Sequence, residues 1–300
     1  MMRILVTGTT GQVGHALQEV LRGRGQILAP TRSDFDLSYP NSLVERLDAL
    51  EPTLIINSAA YTAVDRAEDE VELAFRVNAE APTVIAHWAS RHRVPFVQFS
   101  TNYVFSGVSD RPWREDDPCE PLSVYGKSKL KGELSVREAG GAHLIARTSW
   151  VYAAVGNNFV RTIFKLAQEK IELRVVSDQL GTPTSAKSLA WALKSVLPDD
   201  VGEMSAAFSK VGGILHIANA GSTSRHGFAS SIVKGLRERA IELKVIDIVP
   251  TRTKDFSAKA VRPLESRLDL TRLAGTFGIN MPGWQQALSE ELDEFAAKAS

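Results

Sequence analysis

The sequence predicts a doubly wound α/β fold, a parallel sheet covered by helices on both faces. Two observations carry that expectation. Short, continuous apolar runs recur along the chain, and longer stretches of helical periodicity lie between them. A run without polar alternation fits a strand buried on both sides, as in parallel sheets. Parallel neighbours need a crossover, and the right-handed βαβ crossover is nearly forced.

The elements follow in order. Ile4-Leu5-Val6 is the first run and closes at Thr7-Gly8; Val13, Leu17, Val20 and Leu21 then recur at helical spacing. Ile27-Leu28-Ala29 and Leu54-Ile55-Ile56 are further runs, the latter ending at Asn57. Residues 67–93 read as a long helical stretch, 94–99 as a strand ending at Ser100, 123–139 as a helix and 142–146 as a strand. Beyond 150 the texture is less regular. Residues 157–168 and 185–196 read as helices, 173–176 and 214–217 as strands. Residues 198–212 mix Pro, Gly, Ser and Lys and read as a surface loop. The tail, 283–298, reads as an amphipathic helix by Trp284, Leu288, Leu292 and Phe295.

Composition narrows the function. The 300 residues are 44% hydrophobic and 23% charged, which suits a folded domain with a sizeable core. Lys+Arg and Asp+Glu both number 35, so no net field draws in nucleic acid. Cys119 is the one cysteine; it can form no intrachain disulfide, and its acidic surroundings do not activate a thiol. The apolar run near the N-terminus is too short for a leader, and no segment has the length of a membrane span. A cytoplasmic, soluble protein is expected.

Thr7-Gly8-Thr9-Thr10-Gly11-Gln12-Val13-Gly14 joins the first strand to the first helix. Glycines spaced in this way permit a tight turn, close approach of a pyrophosphate, and packing of the helix on the sheet. The helix N-terminus then faces the phosphates. Gly8, Thr10, Gly11, Gln12, Val13 and Gly14 are therefore candidate dinucleotide contacts. After the second run the chain reads Arg32-Ser33-Asp34-Phe35-Asp36-Leu37. A carboxylate there suits the ribose of NAD, whereas an arginine accommodates the extra phosphate of NADP. Arg32 comes first, so NADPH is the expected cofactor, with NADH as the alternative; Asp36 and Leu37 are further candidate contacts.

Tyr125 and Lys129 are four residues apart and share a helix face. Carbonyl reduction needs a proton for oxygen, and a nearby ammonium lowers the pKa of a phenol into a usable range. Ser100-Thr101, at a strand end, offers hydroxyls for the substrate oxygen, where ligands of open α/β sheets bind.

In these stretches the chain resembles the extended short-chain dehydrogenases/reductases, a Rossmann-fold group. It resembles most closely the dTDP-4-dehydrorhamnose reductase family, through 57–65, 100–105, 147–152, 178–184 and Arg262-Pro263 besides the two motifs above. The resemblance implies NAD(P)H-dependent reduction of the C4 keto group of dTDP-4-dehydro-6-deoxy-L-mannose to dTDP-L-rhamnose. It makes Thr101, Tyr125 and Lys129 the catalytic residues, with Tyr125 the proton donor and Lys129 also a ligand of the nicotinamide ribose. It puts Asn57, Ala59, Ala60 and Tyr61 along the cofactor and Thr62, Val64, Asn102, Tyr103 and Trp150 near the sugar. Residues 1–150 would form the cofactor domain and 151–300 mainly a sugar-nucleotide lobe, with some segments returning to the first domain. Arg262, a guanidinium able to fork onto phosphate oxygens, is expected at the diphosphate.

The sequence departs from the family at three places. Asn102 stands where Asp is usual, and Glu265-Ser266 where Asn-Ser is usual. Ala16 and Lys187 match positions where some members hold a magnesium ion between subunits, so no metal is expected and that dimer loses support; the chain would be a monomer or homodimer. Two other readings stay open: a reductase or epimerase of another nucleotide-4-keto sugar, and a non-enzymatic NADP-binding subunit like the regulatory subunit of methionine adenosyltransferase.

Overall fold

The structure is a computed structural model, which describes residues 2–299. Its centre is a six-stranded sheet in the order Ile214–His216, His143–Thr148, Phe96–Thr101, Leu54–Asn57, Arg3–Thr7, Gln26–Leu28. Every pairing in it is parallel. Side chains alternate between its faces, and both faces are buried. Ile4, Val6, Ile56, Val97 and Leu144 belong to one core cluster, with the Ala186–Val196 helix against them. Leu5, Ile55, Phe96 and Ile145 belong to another, with Ile85 and Trp88 of the Ala81–His92 helix. This double burial explains the unbroken apolar runs.

The Arg3–Thr7 strand pairs with the second strand on one side and the third on the other. The chain therefore reverses its direction of winding there, and a crevice opens beyond the strand ends. A smaller core lies in the second half. It gathers Tyr152, Ile163, Leu173, Phe228, Ile232, Trp284, Leu288 and Phe295. Its two-stranded parallel pair, Glu172–Val176 with Asp247–Thr251, stands apart from the central sheet. The second half also returns to the first: Ile214–His216 forms the sheet edge, and Ala186–Val196 packs on the Gln12–Val20 helix.

Two expectations change. Residues 198–212 are no loop: a 3₁₀ turn, Val201–Glu203, leads into the Met204–Ser209 helix. Met204, Ala207, Phe208 and Val211 recur at helical spacing and are buried, which outweighs the loop-like composition. The long stretch at 67–93 is broken into Val64–Ala67, Val71–Phe75, a π-helical turn at Arg76–Glu80, and Ala81–His92. Among the described residues no helix is long and apolar enough to cross a membrane.

Candidate active site

Beyond the strand ends lies a cleft of about 900 Å³. The glycine turn forms one wall. Gly8 has a φ of 68°, and a Cβ on it would come within 2.8 Å of the Ala59 Cα. A Cβ on Gly14 would come within 2.3 Å of the Gly8 carbonyl oxygen. The turn therefore requires glycine at both positions, and it opens a cradle at the N-terminus of the Gln12–Val20 helix. Thr10, Gly11, Gln12 and Val13 line it, as do Ala59, Ala60 and Tyr61 across the crevice. Backbone free of side chains at a helix start fits a pyrophosphate.

Asn57 belongs beneath this wall and not in it. Its side chain is fully buried, 2.5 Å from the Thr7 hydroxyl and donating to Gln98 Oε1 at 2.8 Å. Its amide locks neighbouring strand ends together and does not line the cleft. Arg32 stands at the far end of the cleft, 77% exposed, with Nε 3.5 Å from Asp36 Oδ2. Asp36 accepts from the backbone and hydroxyl of Ser38, which with Arg32 hold its carboxyl below the usual range despite partial burial. Leu37 is buried and also lines the cleft.

The opposite wall carries Tyr125. Ser123 caps the Val124–Glu138 helix by accepting from the Gly126 amide at 3.2 Å. Glu68 accepts from the Val124 amide at 2.9 Å, which fixes the same helix start. A Cβ on Gly126 would come within 2.2 Å of the Tyr103 carbonyl oxygen, so this glycine lets the helix approach the strand end closely. Tyr125 thereby reaches the cleft beside Thr101 and Tyr103, its ring 5.4 Å from that of Tyr103. Burial pushes its phenol up to about 12, against a hydrogen bond with Thr101 that lowers it.

Lys129 is anchored on the adjoining strand. Its Nζ donates to the Phe99 carbonyl at 2.7 Å, and burial pulls its pKa down to about 8. Desolvation thus outweighs any pull of the ammonium on Tyr125. Burial is the largest influence on the Tyr125 phenol and favours its neutral form. The Ser100 and Thr148 hydroxyls also line the cleft, buried and without a hydrogen-bond partner among the described residues. Unsatisfied buried hydroxyls at a strand end suit the polar groups of a ligand.

Known proteins fit this geometry. The family model described as RmlD substrate binding domain matches residues 2–297. The dTDP-4-dehydrorhamnose reductase of Burkholderia thailandensis is 43% identical over 290 residues, which are 96% of this chain and 97% of that one. The chain belongs to the dTDP-4-dehydrorhamnose reductase family. Two solved members are close in structure. One, from Clostridium acetobutylicum, superposes with a TM-score of 0.89 at 34% identity, covering 98% of this chain and 99% of its own. Another, from Bacillus anthracis in complex with NADP, gives 0.86 at 32% identity, covering 98% and 100%.

Within this family frame, the departures have local explanations. Asn102 is almost wholly buried, and its amide donates to Ser266 Oγ at 2.8 Å, tying the strand end to the segment after Arg262. Glu265 is buried against Arg267, which donates to it from Nε at 2.8 and 2.9 Å and from its backbone amide at 2.7 Å. Ala16 is buried in the core, and the Lys187 ammonium is paired with Glu294. Cys119 lies 3.3 Å from Arg147 Nη2, yet burial pushes its thiol up.

Thr62, Val64, Tyr103 and Trp150 all line the cleft. Arg262 does not. Its guanidinium forks onto Asp65, at 2.5 and 3.1 Å. Trp150, with φ 47°, packs against Gly181, where a Cβ would come within 2.5 Å of its Cε2. Its ring also carries the guanidinium carbon of Arg225 at 3.7 Å from the centroid.

Two residues escaped sequence reasoning. Asn78, on the π-helical turn, accepts from the Tyr61 amide at 2.9 Å and donates to Tyr61 O and Ser128 Oγ, both at 3.0 Å. It links the cofactor wall to the Tyr125 helix across fifty residues, and no local signal marks it. Arg225 lines the cleft at the first position of the Arg225–Glu238 helix. There a signal existed: a cation directly after the Thr223-Ser224 cap, where the helix dipole favours an acid.

Proposed function

We propose that this chain reduces the C4 keto group of dTDP-4-dehydro-6-deoxy-L-mannose to dTDP-L-rhamnose with NADPH. One observation carries the reading: Thr101, Tyr125 and Lys129 line the same cleft as the glycine cradle. Family membership supplies the substrate class.

When bound, the reduced dinucleotide supplies hydride to the C4 carbon. Tyr125 supplies the proton to the C4 oxygen, and its high pKa keeps that proton in place until the oxygen becomes basic. The Thr101 hydroxyl orients the phenol and is placed to hold the same substrate oxygen. Lys129, fixed by Phe99, holds a positive charge below about pH 8 next to the strand end, where it offsets the phenolate left after transfer. Gly8, Gly11 and Gly14 hold the pyrophosphate, and Arg32 meets the extra phosphate of NADPH. Residues 1–150 hold the dinucleotide, and 151–300 supply most of the sugar-nucleotide side.

A panel of nucleotide-linked 4-keto sugars, each offered with NADPH or NADH, tests this. Product identification by NMR should show dTDP-L-rhamnose formed fastest with NADPH. Faster turnover of another nucleotide sugar, or a C4 epimer as product, overturns the substrate assignment.

A further inference from the structure

Arg225 is a charged side chain with no carboxylate partner among the described residues. It is partly buried, lines the cleft, and lies against the rings of Trp150 at 3.7 Å and Phe159 at 5.2 Å. Among the described residues no carboxylate is paired with it. Its neighbours make matters worse. It opens a fourteen-residue helix, whose N-terminus carries partial positive charge. The Arg262 guanidinium acts on it as a like charge, and the Tyr103 hydroxyl is hydrogen-bonded to both arginines. The cluster thus holds two guanidinium groups and one carboxylate, Asp65, which Arg262 takes up in a two-pronged pair. One positive charge is left over, and it faces the cleft beside Tyr103.

Burial pulls Arg225 down to about 10, so it stays charged at neutral pH. A desolvated cation held in place by aromatic faces, without an anion, is costly unless a ligand brings the anion. The neutral sugar ring cannot. A diphosphate can, and a guanidinium offers it forked donors.

We propose that Arg225, and not Arg262, grips the diphosphate of the sugar nucleotide. Arg262 instead fastens the 260–262 segment to Asp65 and sets the edge of the wall; Asp65 also accepts from the Ala260 amide at 3.1 Å. In this arrangement the Arg225 guanidinium covers a face of Trp150, so the indole supports the phosphate-binding group and does not itself stack on the sugar. The proposal rests on the sugar-nucleotide reading above.

Binding without turnover tests it. Isothermal titration with dTDP, inorganic pyrophosphate and NADPH is applied to the wild type, Arg225→Gln, Arg225→Lys and Arg262→Gln. Arg225→Gln should weaken dTDP by about ten- to a hundredfold, the range for one lost hydrogen-bonded charge. Pyrophosphate should weaken in parallel and NADPH by less than about twofold, whereas Arg225→Lys, a point charge without the fork, should fall between. Arg262→Gln should weaken dTDP less than Arg225→Gln does. Unchanged dTDP affinity in both Arg225 variants, or a larger loss in Arg262→Gln, overturns the proposal while leaving the reductase reading intact. A wild type that binds NADPH but no dTDP overturns both. Arg225→Lys keeps the charge and length, so it answers the question even where Arg225→Gln fails to fold.

Discussion

The Lys129 ammonium donates to the Phe99 carbonyl at 2.7 Å, deep under the end of the Phe96–Thr101 strand. The contact fixes the cation but does not repay its desolvation, since the lysine still titrates near 8 against an ordinary 10.5. A lysine whose folded pKa lies below its unfolded one binds fewer protons when folded, so stability rises with pH between the two values. The penalty is complete below about pH 8 and is relieved as pH climbs toward 10.5. Lys129→Met removes it. Relative to that variant, the wild type should gain about 3 kcal/mol between pH 7 and 10.5, from the size of the shift. Urea unfolding of both proteins across that range reads the difference. A constant gap across the range refutes the buried-cation assignment.

Tyr125→Phe deletes one hydroxyl and leaves the ring against Tyr103. Turnover should fall by roughly two to four orders of magnitude, the range for a lost general acid. NADPH affinity, measured by fluorescence titration, should hold. Activity above about a tenth of the wild type would mean that another group gives the proton.

Arg32→Ala should raise the Michaelis constant for NADPH well beyond that for NADH. Arg32 is 77% exposed and only loosely held by Asp36, so its pull on a phosphate is screened by salt. The wild-type preference for NADPH should accordingly narrow as ionic strength rises and be small in the variant throughout. Equal effects on both dinucleotides sink the assignment of Arg32 to the extra phosphate.

What the sequence made legible was what local pattern encodes. The glycine spacing and the Tyr125/Lys129 spacing each lie within eight residues, the first on a strand–helix junction and the second on one face of the Val124–Glu138 helix. Apolar runs such as Leu54-Ile55-Ile56 announced strands because both of their faces are covered. What stayed hidden depends on contacts between distant segments. Nothing near Arg262 in the sequence marks its ion-pair partner, Asp65, which lies 197 residues away. Nothing local shows that Thr7 and Gln98 close over the Asn57 amide. The Lys129 pKa depends on burial, which spacing does not reveal. The helix at Met204–Ser209 has plain apolar spacing, but the Gly, Ser and Lys around it give the segment the composition of a loop.

The Glu133–Arg147 pair ties the stability of the fold to the acid–base chemistry. Both side chains are nearly inaccessible, at 2% and 3% exposure, and Arg147 reaches the carboxylate from Nη2 at 2.6 Å and from Nε at 3.0 Å. Removing one member of a buried pair leaves the other uncompensated, so Glu133→Gln should cost about 3–5 kcal/mol. Glu133 also lies one helical turn beyond Lys129, and its charge raises the lysine's pKa against the effect of burial. Without it, Lys129 should lose its proton at lower pH, and a basic limb of kcat/KM that reports Lys129 should move below its wild-type position. Stability and acidity separate in the double variant Glu133→Gln/Arg147→Met. Replacing the buried guanidinium with an apolar chain should restore much of the lost stability, because no unpaired charge remains. The basic limb should stay low, because the carboxylate that lifted Lys129 is still missing. A limb that keeps its wild-type position in both variants means that the pH dependence arises outside Lys129.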